Sequence, residues 1–438
     1  MERTVMAELD AWRASSRRKP LVLMGARQVG KTWLLREFAA RHFSRTVYLN
    51  LDQSQMARAI FDGDLTMKRI LADLAVVDGQ GSIDPATTLI VLDEIQEAPR
   101  ALACLKYFAE DAPEYYVACA GSMLGIAAHQ DVSFPVGKVN IIDIHPLTFI
   151  EFLDGIGEAG LAGLLRAGKP ERFAPFHESL VTLLRSFLFV GGMPEAVAQY
   201  APRRDLALVR DVHRELLAAY DQDFSKHAPP AEVPRLRALF DSVPRQLARE
   251  NKRFVYGQAQ SGARAKTMES ALQWLIDAGL VHKVRRIQVP RLSLAAYEDN
   301  TAFKLYFLDV GLTAAAVGLE AKTLLTGSSA FTEYKGALTE QYVLQELVAA
   351  HVDPFYWTSR SGGAEVDFVI SAGDRIVPIE VKAEVNVQAK SLRVFRDEYA
   401  PPRSVRLSLR TYRDENWLVN LPLYAAARVP EFTRDAAD

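Results

Sequence analysis

Eight consecutive residues, Gly25-Ala-Arg-Gln-Val-Gly-Lys-Thr32, follow the apolar run Leu21–Met24 and lead into helical spacing over residues 33–40. No other feature restricts the fold of this chain as strongly. The two glycines let backbone N–H groups turn inward without Cβ clashes, and the start of the following helix adds partial positive charge. A loop of this composition between a strand and a helix is a cradle for phosphate groups. Lys31 is placed to reach the β- and γ-phosphates and the Thr32 hydroxyl to hold Mg2+, so ATP and Mg2+ are the expected ligands. The nucleotide-contacting set is Gly25, Ala26, Arg27, Gln28, Val29, Gly30, Lys31, Thr32 and Trp33. Arg27 reads either as a contact to nucleotide or a neighbouring subunit, or as a solvated loop cation.

Short apolar runs at 21–24, 46–51, 88–92, 115–120 and 139–144 alternate with helical patterns. Near-continuous apolar strands with helices between them predict a parallel sheet covered on both faces. The run 88–92 delivers Asp93 and Glu94 to its carboxyl end, beside the phosphate loop. Asp93 is expected to bind Mg2+ and Glu94 to activate a water, a pairing that favours hydrolysis over transfer to a small molecule. Ser122, at the end of the next strand, reads either as a γ-phosphate sensor or as a helix cap.

The 438 residues suggest about three domains. Two cysteines exclude a disulfide scaffold, and neither a signal-peptide core nor ~18 uninterrupted apolar residues appear. A cytoplasmic location without a membrane partner is expected. Net charge is −2, yet residues 233–296 carry twelve basic against four acidic side chains, +8, leaving −10 elsewhere. Their order (helix, turn, helix, basic hairpin) predicts a winged helix. Arg264 and Lys266 on the second helix, with Lys283, Arg285 and Arg286 on the hairpin, are the candidate DNA contacts. The competing reading is a lid whose basic residues meet nucleotide or the acidic remainder of the chain. Residues 323–329 read as a loop into the last domain.

Near the carboxyl end, alternation puts Glu365 and Asp367 on one strand face, and Glu380 and Lys382 on one face of the next strand. A hairpin joining these strands brings Asp367, Glu380 and Lys382 together. Two carboxylates with a lysine form a metal site for phosphodiester hydrolysis, Glu380 and Lys382 being its catalytic pair. Glu340 stands in an apolar helical stripe and needs a partner such as metal or Lys382. The alternative is a solvated strand face with a Glu380–Lys382 ion pair.

The order of these pieces resembles the prokaryotic AAA-type ATPases that carry a C-terminal domain of unknown function related to PD-(D/E)XK nucleases. The matching segments are 25–32, 89–96, 120–122, Gly137-Lys138, 146–152, 191–194, 305–312, Glu340, 365–367 and 379–382. The resemblance implies an α/β P-loop ATPase domain over 1–150, a helical lid over 151–228, a winged helix over 229–310 and a PD-(D/E)XK nuclease-like domain over 331–438. Lys138 stands where that family often has arginine, which leaves the source of an arginine finger, and with it a homo-oligomer, open. The expected function is ATP hydrolysis coupled to DNA binding, with cleavage by the last domain unsettled. The alternative is an ATP-gated switch whose nuclease-like domain only binds.

Overall fold

A strand whose every side chain is apolar has no face to offer water, and the first strands of this chain solve that by stacking in parallel beneath helices. The computed structural model describes residues 2–122, 134–249, 252–321, 332–360, 362–384 and 389–434. It divides into two compact units, Glu2–His145 with Asp277–Gly279, and Pro146–Ile276 with Leu280–Asp438. The loop expected at 323–329 lies outside the described residues.

In the first unit β1 (Leu21–Met24), β2 (Arg45–Asn50), β3 (Thr88–Asp93), β4 (Tyr116–Ala120) and β5 (Asn140–Asp143) form one sheet. Its order is β2-β3-β4-β1-β5, and every neighbouring pair is parallel. All six residues of β3 are buried. Val22, Ile90, Leu92, Phe61, Leu102 and Phe108 belong to one core that also takes in both cysteines. Because the strands run the same way, their carboxyl ends share one edge, where such sheets bind ligands. The phosphate loop after β1 and the acidic end of β3 therefore emerge on the same side, with only β4 between their strands.

The second unit is helical over much of residues 149–276 and then joins an eight-stranded sheet ordered β12-β13-β11-β10-β9-β8-β6-β7, in which β9 is Glu365–Ala372, β10 Arg375–Val381, β11 Ser404–Ser408, β12 Arg413–Asp414 and β13 Leu418–Pro422. The hairpin of β6 (Val281–Ile287) and β7 (Glu298–Phe307) sits where the sequence predicts one. Its other edge is not open, however: β6 pairs in parallel with β8 (Phe355–Thr358) through Arg286 opposite Tyr356 and Ile287 opposite Trp357. One sheet thus runs across the boundary expected between 229–310 and 331–438. Nothing local in sequence signals this, since the partner strand lies some seventy residues downstream.

The helix Thr332–Ala349 buries polar groups beside apolar ones such as Leu338, Tyr342, Leu344 and Leu347. Gln341 accepts from the Phe307 amide at 2.9 Å, and Gln345 accepts from Val310 N at 3.0 Å while donating to Leu147 O at 3.1 Å. Asp309, fully buried, caps Val310–Ala316 and also accepts from Gly192 N at 2.6 Å. These bonds satisfy buried backbone groups that turns leave unpaired. Segments 191–194 and 305–312, far apart in sequence, meet here.

Glu346 on the same helix accepts from Phe149 N at 2.7 Å, while its other carboxyl oxygen is buried without a partner. Burial, and then the nearby Glu151 charge, push its pKa up to about 8, against the pull of the Phe149 amide. The folded chain thus keeps a proton that the unfolded chain releases near pH 4.5, so this group's contribution is complete below that pH and is lost as pH rises toward 8. Thermal melts from pH 5 to 8.5 are expected to show a smaller alkaline loss of Tm in Glu346→Gln than in the wild type. Parallel curves would contradict it.

Candidate functional site

Gly25 holds φ +130°, and a Cβ there would lie 2.2 Å from the Ile144 carbonyl oxygen. Gly30, at φ 95°, turns the chain into the helix Lys31–His42. Both conformations suit glycine alone. Arg3 buttresses the loop, donating to Val29 O at 3.1 Å and to His145 O at 2.7 Å. Ala26 and Val29 are buried, Gln28 is exposed in the left-handed region at φ 67°, and Trp33 is 42% exposed.

Lys31 is 8% exposed and bonds its own loop, donating to Gly25 O at 2.9 Å and Ala26 O at 2.7 Å. Burial lowers its pKa to about 8, although Glu94 and Asp93 pull the other way. Thr32 Oγ1 donates to Asp93 Oδ2 at 2.9 Å, and the Tyr48 hydroxyl donates to the same oxygen at 2.6 Å. Asp93 Oδ1 accepts from Glu94 N at 3.1 Å. Glu94 sits at φ 52°, ψ 47°, and its Oε2 accepts from Gln96 Nε2 at 2.6 Å. Ser122 is buried two residues beyond β4, and the helix expected after it lies outside the described residues. Lys138 pairs with Glu110 at 2.8 Å on the surface.

The loop residues, Asp93 and Glu94 thus gather at one sheet edge. A hydroxyl and a carboxylate, both hard oxygen donors, already meet there, and this donor set fits Mg2+. Sequence reading missed Tyr48, Arg3 and Gln96. Tyr48 could be found only through the register of β2 against β3, in which Asn50 lies opposite Asp93.

The C-terminal residues are arranged differently. The antiparallel pair β9 (Glu365–Ala372) and β10 (Arg375–Val381) brings Val381 N to Asp367 Oδ2 at 2.7 Å. Lys382 Nζ lies 3.1 Å from Glu380 Oε1, while Glu380 Oε2 is buried without a partner. Glu340 is 1% exposed, and its hydrogen-bond partners are two lysines and a tyrosine rather than Lys382. Lys304, fully buried, donates to it at 3.0 Å, and Lys252 Nζ and the Tyr306 hydroxyl also bond it. Lys304 donates further to Glu365 at 2.7 Å.

Burial works against charge on Glu340, but Lys252 and Lys304 hold its carboxyl below the usual range. Burial and the Glu340 charge push Asp367 up. Among the described residues no group of three or more His, Cys, Asp or Glu is placed to hold a metal. Of the three carboxylates expected to hold the metal, Glu340 is taken up by two ammonium groups, Asp367 accepts from the Val381 amide, and Glu380 pairs with Lys382 through one oxygen. The signal in sequence was Lys304 itself, a lysine among the apolar residues that close its strand, Ala302, Phe303, Leu305, Tyr306 and Phe307.

Three of the five candidate DNA contacts are already paired, one with the preceding helix and two with the neighbouring strand. Lys283 bonds Glu269 at 3.0 Å, Arg285 lies 3.5 Å from Glu298, and Arg286 bonds Asp299. Arg264 and Lys266 are exposed.

Removing one partner of a buried ion pair costs about 3–5 kcal/mol because the other charge is stranded. Urea unfolding of Lys304→Ala is expected to show a loss of that order. The double variant Lys304→Met/Glu340→Gln should recover part of it. A loss below about 1 kcal/mol in Lys304→Ala would contradict the assignment.

Residues 17–153 match a family model described as AAA domain. Residues 181–323 and 335–424 match two domains of unknown function, DUF8612 and DUF4143. Among solved structures the chain is similar to a Walker-type ATPase of Pyrococcus abyssi at 15% identity, with 71% of this chain and 94% of that chain covered and a TM-score of 0.42. It is also similar to the ORC1 protein of Aeropyrum pernix in complex with DNA, at 14% identity, 71% and 90% coverage and a TM-score of 0.28. No curated protein matches. Among the described residues no helix is long and apolar enough to cross a membrane.

Proposed function

We propose that this AAA-type ATPase holds ATP on the backbone amides of residues 25–32 and hydrolyses it with Glu94 as general base. The observation that carries this reading is the 2.9 Å contact between Thr32 Oγ1 and Asp93 Oδ2 beside the buried Lys31. Lys31 is an ammonium hydrogen-bonded to carbonyl dipoles, with Glu94 and Asp93 acting on it without a direct ion pair among the described residues, and a triphosphate gives it full counter-charge. Thr32 and Asp93 are the residues to hold Mg2+, which supplies charge neutralisation at the phosphate oxygens. Glu94 takes the proton of the attacking water as the new P–O bond forms. The γ-phosphorus separates from the bridging oxygen, which leaves with ADP. Ser122 offers a hydroxyl at the same sheet edge as a γ-phosphate contact.

For the second unit, a non-cleaving output element is favoured over a nuclease, because Glu340, one of the three carboxylates expected to bind metal, is taken up by Lys252 and Lys304, and Glu380 is paired with Lys382. Arg264 and Lys266, both exposed, support DNA binding by the basic segment. Nucleotide state then biases a switch that binds without cutting.

Lys31→Ala is expected to abolish ATP binding, whereas Glu94→Gln should keep binding and lose about 10²–10⁴-fold in kcat. Turnover of Glu94→Gln near the wild-type rate would contradict the assignment. In the same panel, plasmid incubated with Mg2+ or Mn2+ should stay intact with both the wild type and Lys382→Ala. Metal-dependent cleavage lost in Lys382→Ala would instead restore the nuclease reading. Charge reversal of Arg264 and Lys266 should flatten the salt dependence of DNA affinity by about two units of the log–log slope. A salt-independent interaction would count against DNA contact.

A further inference from the structure

Glu94 adopts a left-handed backbone although it is not glycine, at φ 52° and ψ 47°. Such a conformation persists only where its surroundings over-determine it. Here the preceding strand is wholly buried and Ile95 is 0% exposed in the sheet's core. The Glu97 amide closes the turn on Glu94 O at 3.0 Å. The backbone around the acid is therefore fixed. A glutamate side chain still has three free torsions, and a general base that wanders loses rate.

Gln96 lies two residues on, in the same short turn, Ile95–Glu97. Its Nε2 donates to Glu94 Oε2 at 2.6 Å. The opposite amide orientation would set two oxygens at that distance, so the assignment of donor is settled by charge. The amide occupies one carboxylate oxygen and leaves the other, Oε1, for the proton of a water. A second observation marks this glutamine as more than a turn residue. Its own Oε1 is sealed from solvent and has no hydrogen-bond partner among the described residues. Buried polar atoms are nearly always paired, and the exceptions gather where function maintains them.

We propose that Gln96 is the positioning residue for the ATPase reaction: its amide clamps the Glu94 carboxylate in the pose from which it accepts the proton of the attacking water. The inference rests on Glu94 as the base. Gln96 contacts neither nucleotide nor phosphorus in this role. Its effect reaches the chemistry through one hydrogen bond.

The test compares single-turnover and steady-state ATP hydrolysis by the full chain for wild type, Gln96→Leu, Glu94→Gln and the double variant. Affinity for a non-hydrolysable ATP analogue and melting temperature are measured alongside. Gln96→Leu is expected to lose about 10–100-fold in kcat with KM and analogue affinity within about threefold of wild type. Gln96→Glu, which sets a second carboxylate against Glu94, should lose at least as much. In the Glu94→Gln background the leucine should add no further loss, as for two residues that act as a unit. A Gln96→Leu variant with wild-type kcat beside an inactive Glu94→Gln overturns this inference and leaves the base assignment standing. Equal falls in affinity and kcat, or losses that multiply in the double variant, overturn it too. Turnover of Glu94→Gln near the wild-type rate overturns both.

Discussion

An ammonium group with nowhere to send its charge governs the first unit. Lys31 is all but excluded from water, and among the described residues its hydrogen bonds go to the carbonyls of Gly25 and Ala26. Carbonyl dipoles pay only part of the cost of stripping water from a cation, which is why burial draws the amine down to about 8 even with Asp93 and Glu94 nearby. The loop is stable because the sheet holds it from outside: Ile144 closes against Gly25, and Arg3 ties Val29 to His145. The order β3-β4-β1 brings the carboxylates of Asp93 and Glu94 to the sheet edge that carries this loop, the placement on which the proposed roles of both residues rest.

The second unit meets the same problem and answers it within the chain. Lys304 is fully buried, but Glu340 and Glu365 stand at 3.0 and 2.7 Å. Burial opposes its charge, yet those carboxylates outweigh burial and raise its pKa. Two buried lysines thus have opposite meanings. One is supported by dipoles and gains from a ligand. The other is matched charge for charge, and a metal entering there would have to displace it. A carboxylate pattern in sequence can describe either situation, and the identity of the counter-ion decides between them.

What could be read from sequence follows chain distance. The loop 25–32 is contiguous, its strand and helix adjoin it, and each of its residues has a role set by local backbone geometry. Asp93 and Glu94 were legible because an apolar strand announces where its carboxyl end lies. The hairpin of β9 and β10 was legible from alternation and a glycine turn. Lys304 is 36 residues from Glu340 and 61 from Glu365, and no local pattern couples them. The β6–β8 pairing was hidden for the same reason, since a parallel contact leaves no turn signature between its strands. Tyr48 needed the register of a neighbouring strand. Gln96 was visible beside Asp93 and Glu94, but its amide contact belongs to a left-handed turn that the letters do not spell.

A structure of the chain with Mg2+ and a non-hydrolysable ATP analogue examines the account at its centre. The β- and γ-phosphates should lie within the amides of residues 25–32, Lys31 Nζ should leave the Gly25 and Ala26 carbonyls for phosphate oxygen, and Thr32 should turn from Asp93 to the metal. Nucleotide bound elsewhere, or bound while Lys31 stays on those two carbonyls, would contradict it.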